Sequence, residues 1–160
     1  MVLWSVPEDF AHYHNIKFVE GMPDIDQFDG KHRILLIIDD LMHETYDKTC
    51  QIFTRGSHHL NISVIFLTQN IFHGTKHNRT MNLNTHYLVL FKNPRDATQI
   101  TYLARQMFPK HPHFLVDAFN DATSMPFGYL LIDLKQDTDD MIRIRTGLFD
   151  DDDLYAYKPK

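Results

Sequence analysis

Ile34-Leu35-Leu36-Ile37-Ile38-Asp39-Asp40 decides how this chain is read. Five apolar residues, three of them β-branched, run directly into two carboxylates. A run this dense predicts a strand buried on both faces, as in a parallel sheet. Side chains at the C-terminal end of such a strand sit where open α/β sheets hold ligands. Two adjacent carboxylates repel each other, and a cation beside them offsets that repulsion. The plainer alternative is a turn in which one Asp caps a following helix.

Outward from this strand, residues 45–55 read as a helix, with Tyr46, Cys50 and Phe53 on one face and Gly56 as its stop. Ser63-Val64-Ile65-Phe66-Leu67-Thr68-Gln69 is a second apolar strand, which completes a βαβ unit. Residues 73–84 are polar and basic, a loop with a short helix. Tyr87-Leu88-Val89-Leu90-Phe91 is a third strand. Asn93-Pro94 then opens a helix that turns Ala97, Ile100, Ala104 and Met107 inward. Residues 113–119 predict another helix and residues 128–134 a fourth strand. Residues 136–140 form a turn, and Ile142-Arg143-Ile144-Arg145 alternates like an antiparallel edge strand. Before the opening strand, residues 8–14 read as a short helix and residues 16–19 as a short strand. Gly21-Met22-Pro23-Asp24 and Asp29-Gly30 are turns. The sum is an α/β fold whose sheet is mostly parallel and ends in a hairpin. Residues 1–149 are expected to form the domain and residues 150–160 a flexible acidic tail.

Composition narrows the function classes. A chain of 160 residues with 43% hydrophobic content fits one globular domain. Cys50 is the only cysteine, so no intrachain disulfide forms, which fits a reducing, intracellular setting. The first residues lack the basic and long apolar regions of a signal peptide, and the apolar runs fall far short of the roughly 20 residues that span a bilayer. The formal net charge of −5 does not favour nucleic acid through bulk electrostatics, so any such contact falls to a local basic loop.

An apolar strand ending in acids is the magnesium-holding strand of P-loop nucleoside triphosphatases. On that reading Asp39 holds Mg²⁺ through a water, because this ion keeps several waters and uses few carboxylates. Asp40 then polarises the attacking water. Gln69 ends the next strand at the same sheet edge, where a glutamine can orient water beside a γ-phosphate; the plainer alternative is a polar residue leaving a strand. His73, Lys76, His77 and Arg79 make the most basic short segment. It suits a phosphate backbone, or Arg79 acting as an arginine finger, against the alternative of a solvated loop. Arg55 and Arg95 are weaker finger candidates. None of the eleven histidines falls in a zinc-binding pattern. A phosphate loop of the form G-x-x-x-x-G-K-[ST] occurs nowhere in the sequence. Gly74-Thr75-Lys76 is too incomplete to substitute for one.

The order of these segments carries a resemblance. The opening strand with Leu41-Met42 is followed by Gly56-Ser57-His58-His59 and by the strand ending in Gln69-Asn70. His77-Asn78-Arg79-Thr80 and Leu90-Phe91-Lys92-Asn93-Pro94-Arg95-Asp96 come next. This set resembles the genome-packaging ATPases of the FtsK/HerA class, chiefly those of Maverick/Polinton elements and adintoviruses, with poxvirus packaging ATPases more distant. It spans about residues 10–135 of the chain. The resemblance implies a P-loop NTPase core of the ASCE, RecA-like kind, with Asp39 and Asp40 as the Walker B acids and Gln69 as the sensor. Its finger arginine has no secure counterpart: cellular members tend to carry one near where His86 stands, and Arg79 is the substitute. It further implies ATP and Mg²⁺ as cofactors and a homo-oligomeric ring as the assembly. That ring pumps double-stranded DNA into a capsid at its portal vertex, within the host nucleus or cytoplasm or with the virion.

The missing phosphate loop is the main departure. In this class its strand lies mid-sheet beside the strand ending at Gln69, so it is expected upstream of residue 1. Met1 then becomes an internal methionine of a longer product or of a decayed gene. The expectation is the C-terminal part of a packaging motor, inactive by itself. One rival is a non-catalytic relic or interaction module of the same fold. Another is an unrelated magnesium-dependent carboxylate nuclease, which needs a third acid; Asp133 is the tempting one.

Overall fold

A computed structural model describes residues 15–19, 21–39, 50–56, 60–70, 81 and 83–159, with the backbone alone at Arg55 and Gly56. The chain divides into two compact units, residues 1–69 with 74–81 and residues 70–73 with 82–160. Among the described residues no helix is long and apolar enough to cross a membrane.

In the first unit, β1 (Ile34–Asp39) and β2 (Ile62–Leu67) pair in parallel, from Ile34 opposite Ile62 to Asp39 opposite Leu67. Local chemistry sets where the strands start. Gly30 takes φ 71 in the turn before β1, and the Asp29 carboxylate accepts the Lys31 N–H at 3.0 Å. Asn61 takes φ 53, a left-handed conformation that asparagine tolerates better than most residues. Its side-chain amide donates to the Gly30 carbonyl at 2.6 Å, and its own carbonyl accepts the Ile34 N–H at 3.1 Å. One asparagine thus aligns the starts of both strands.

The expectation of a strand buried on both faces is corrected. Ile38 is buried and Ile34 and Leu36 are half-buried, but Leu35 and Ile37 on the other face are each 58% exposed. β2 repeats this, with Ile62 buried and Ile65 and Leu67 exposed. The covered face meets the helical segment that follows Cys50: Ile52 is buried, and the Phe53 ring stands edge-on to Phe66 at 6.3 Å. That segment is helical at residues 50–51 and finishes as a π turn, Ile52–Gly56, so the helix runs through Gly56 rather than stopping before it. Residues 45–49 and 8–14 lie outside the described residues. Residues 16–19 are described and form no strand.

The second unit holds β3 (Tyr87–Phe91), α1 (Thr98–Met107), α2 (Pro112–Ala122), β4 (Tyr129–Asp133) and β5 (Ile144–Arg145). Its sheet order is β3-β4-β5 and both pairings are antiparallel. The terminal hairpin is as expected, but a mostly parallel sheet is not: among the described strands only β1 and β2 run parallel. The reason is parity. A single crossing helix delivers the chain to the opposite end of a sheet and yields parallel neighbours. Here two mutually packed helices return it to the end it left, so Phe91 faces Tyr129.

Ile100, Leu103, Ala104, Leu115, Ala118, Leu130, Ile132 and Ile144 form the core of this unit. α1 begins at Thr98, later than Asn93-Pro94 suggests. The Asn93 side chain instead accepts the Arg95 N–H at 3.0 Å and closes a turn. Asp96 then accepts the Thr98 hydroxyl at 2.5 Å, and the Gln99 side chain and the Thr98 N–H, each at 3.0 Å, and these bonds hold its carboxyl below the usual range. Ala97 is therefore exposed, and Leu103 takes a core position beside Ile100 and Ala104.

Residues 150–159 are mostly exposed and are tied back to the unit by hydrogen bonds. Tyr157 N–H donates to the Ile144 carbonyl at 2.8 Å, and Thr146 N–H to the Tyr155 carbonyl at 3.0 Å. Asp152 accepts the Tyr129 hydroxyl and the N–H groups of Leu148 and Phe149. The Tyr157 hydroxyl donates to Asp121 at 2.7 Å; burial and that carboxylate both push its pKa well up. Tyr157→Phe removes the anchor and is expected to cost about 1 kcal/mol, read as a lower urea midpoint with unchanged slope. No measurable shift would show that the anchor contributes nothing.

Candidate functional site

Strand polarity builds the candidate site. β1 and β2 run the same way in register, so their C-terminal ends share one edge. Asp39 is the last residue of β1 and is exposed there, opposite Leu67. Thr68 and Gln69 continue past Leu67, which leaves Gln69 exposed at the same edge. Neighbouring strands lie about 4.8 Å apart. Asp39 and Gln69 thus leave the sheet from neighbouring strands at one edge.

Asp40 and Arg79, the other two predicted members, lie outside the described residues, as does the side chain of Arg55. Gly74-Thr75-Lys76 lies outside them as well. His86 and Arg95 belong to the second unit. No three His, Cys, Asp or Glu side chains gather into a metal-holding group among the described residues. The donor at hand is a single exposed carboxylate on a strand end.

No protein-family model matches this chain, and no curated protein or solved structure is significantly similar to it.

Asp133, the third acid that a nuclease would need, is engaged in structure. It is 3% exposed and lies 3.3 Å from the Arg145 guanidinium. The Lys135 N–H donates to its Oδ1 at 3.2 Å. Burial pushes its carboxyl up, but hydrogen bonds from Thr138, the Lys135 N–H and Arg145 outweigh burial and hold it below the usual range. Sequence reasoning missed this pair. Its signal lay in the alternation Ile142-Arg143-Ile144-Arg145, which puts both arginines on one face. Only the observed register, Leu131 opposite Arg145, brings Arg145 within reach of Asp133. Arg143 is committed too, donating to the carbonyls of Asp133, Lys135 and Thr138 at 2.7–2.9 Å.

Proposed function

We propose that this chain is the magnesium- and water-handling part of an ATP-driven double-stranded DNA packaging motor, inactive alone for want of a phosphate loop. The observation that carries this reading is the parallel register that brings Asp39 and Gln69 to one strand edge. A second feature supports it: among the described strands β2 pairs only with β1, leaving its other edge for the phosphate-loop strand that the resemblance puts there. The fold is then a P-loop NTPase core of the ASCE, RecA-like kind, short of one central strand.

In a longer parent, Asp39 would hold Mg²⁺ through a water, and the ion would offset the charge of phosphate oxygens. Asp40 accepts a proton from the attacking water. Gln69 orients that water with its amide, and Arg79 reaches the site of a neighbouring subunit in the ring. Double-stranded DNA is the cargo.

The 160-residue chain is expected to bind ATP negligibly and to hydrolyse none. Tight ATP binding by this chain, lost in Asp39→Ala, would overturn the reading. A chain extended by the in-frame upstream sequence is expected to gain magnesium-dependent ATPase activity. In that chain Asp40→Asn lowers the rate about 100-fold or more, the scale of a lost general base. Stop codons upstream in the genomic sequence favour a non-catalytic relic instead. Asp133, the third acid that the nuclease reading names, pairs with Arg145.

A further inference from the structure

The geometry points to β3 as the dimerisation edge of this chain: we infer that two copies pair antiparallel along Tyr87–Phe91, Val89 facing Val89. The inference rests on the open edge of the second unit and not on the nucleotide reading.

The hydrogen-bond pattern of β3 sets the register. The Leu134 N–H donates to the His86 carbonyl at 2.8 Å, and Tyr87 faces Asp133. In an antiparallel ladder, residues alternate between turning their main-chain groups toward the partner and away from it. Leu88 and Leu90 therefore face β4, whereas Tyr87, Val89 and Phe91 turn their N–H and C=O groups outward. Among the described residues no strand pairs with that side.

The outward set is self-complementary. About a two-fold axis at Val89, Tyr87 of one copy meets Phe91 of the other, and the two Val89 residues meet each other. Every facing pair then consists of outward-turned residues and exchanges both N–H···O bonds. The side chains agree. Tyr87, Val89 and Phe91 are 46%, 37% and 61% exposed, all on one face of the strand. Aromatic and β-branched residues are favourable cross-strand partners.

Nothing within Tyr87-Leu88-Val89-Leu90-Phe91 blunts the edge, since it holds no charge and no proline. Lys92 and Pro94 follow directly and limit the pairing to these residues. The opposite edge of the sheet is already taken, because Ala156 bridges to Arg145 and Tyr157 donates to Ile144. Among the described residues this sheet has one open edge, and two-fold pairing uses it up.

Area sets the strength. Aromatic side chains offer about 150–250 Å² each when fully covered. Met125 and Phe127 line a shallow cavity with Phe91 and are themselves exposed. Edge pairing covers only the facing flanks of Tyr87, Val89 and Phe91, so the interface stays below the roughly 1,200 Å² of specific complexes. The dimer is therefore reversible and concentration-dependent.

Sedimentation equilibrium of the 160-residue chain over rising concentration tests the inference. The weight-average mass is expected to climb toward twice the monomer value. Amides of Tyr87, Val89 and Phe91 should exchange about tenfold more slowly, or slower still, in concentrated than in dilute samples. Val89→Lys sets two like charges opposite each other and should weaken association about tenfold or more. Val89→Pro removes an outward N–H without touching the β3–β4 ladder, and should give the same loss with an unchanged circular dichroism spectrum. A monomer at every concentration overturns the inference and leaves the edge to a strand from elsewhere. Variants that dimerise as the parent does, or protection confined to other strands, overturn it equally.

Discussion

Arg145→Met is expected to lower the stability of the second unit by about 3–5 kcal/mol at pH 7, the cost of stranding a buried charge. Asp133 is the group left without its cation, keeping only its hydrogen bonds from Thr138 and the Lys135 N–H. It is nearly fully buried, and the Arg145 side chain beside it is only 17% exposed, so water cannot replace the guanidinium. Methionine keeps much of the volume of the arginine stem, which isolates the charge effect from a packing effect. The variant also loses the bond from Arg145 to the Ile142 carbonyl at 2.7 Å.

The pH dependence separates this account from a general loosening. In the parent, the Asp133 carboxyl titrates lower folded than unfolded, because its hydrogen bonds outweigh its burial. Its contribution is therefore complete above the unfolded value of about 4 and fades as pH falls through the lower folded value. In Arg145→Met, burial faces weaker opposition and the folded value rises. The variant should then recover part of its loss as pH is lowered from 7 toward 4, where the parent gains nothing. Urea unfolding at pH 7, 5 and 4 measures both slopes. Parallel slopes, or a loss under about 1 kcal/mol at pH 7, would refute a charge-based role for the pair.

Ile132→Ala carries the other large effect, about 3–4 kcal/mol within the range for buried aliphatic truncation. Ile132 is fully buried at the centre of β4, faces Ile144 across the hairpin, and belongs to the cluster that α1 and α2 build. Neighbours on both sides are themselves held in strands and helices, so the cavity cannot collapse. Ile132→Val should cost about 1 kcal/mol, and the pair of values reads the cavity contribution directly. A thermal midpoint lowered by only a few degrees in the alanine variant would mean that this core repacks freely, since about 4–8 °C accompanies each kcal/mol in a unit of this size.

What was legible beforehand follows from range. β1 and β2 declare themselves through dense apolar runs, and their parallel pairing needs only the connection between them. The site residues Asp39 and Gln69 inherit their shared edge from that pairing. Cover was not legible: Leu35 and Ile37 carry the same chemistry as Ile38, and which face is packed depends on where distant segments lie. The antiparallel β3–β4 pairing was readable in principle from the two helices predicted between those strands. The preference for parallel neighbours in alternating patterns outweighed that parity. The late start of α1 has a local cause, because the Asn93 side chain competes for the backbone that a helix would use. The fate of Asp133 rested on hairpin register, which a two-residue strand scarcely declares.

The return of the chain through two helices also orders its assembly in time. β4 and β5 are near neighbours in sequence and can meet early, whereas β3 must wait for the whole α1–α2 excursion before its partner exists. During synthesis β3 leaves the ribosome well ahead of β4, and the residues that seal β5 come last of all, at 155–157. The second unit is thus completed only once residues 155–157 have emerged. Until then its most apolar edge is a nascent strand, and the helical pair is the part able to form around it.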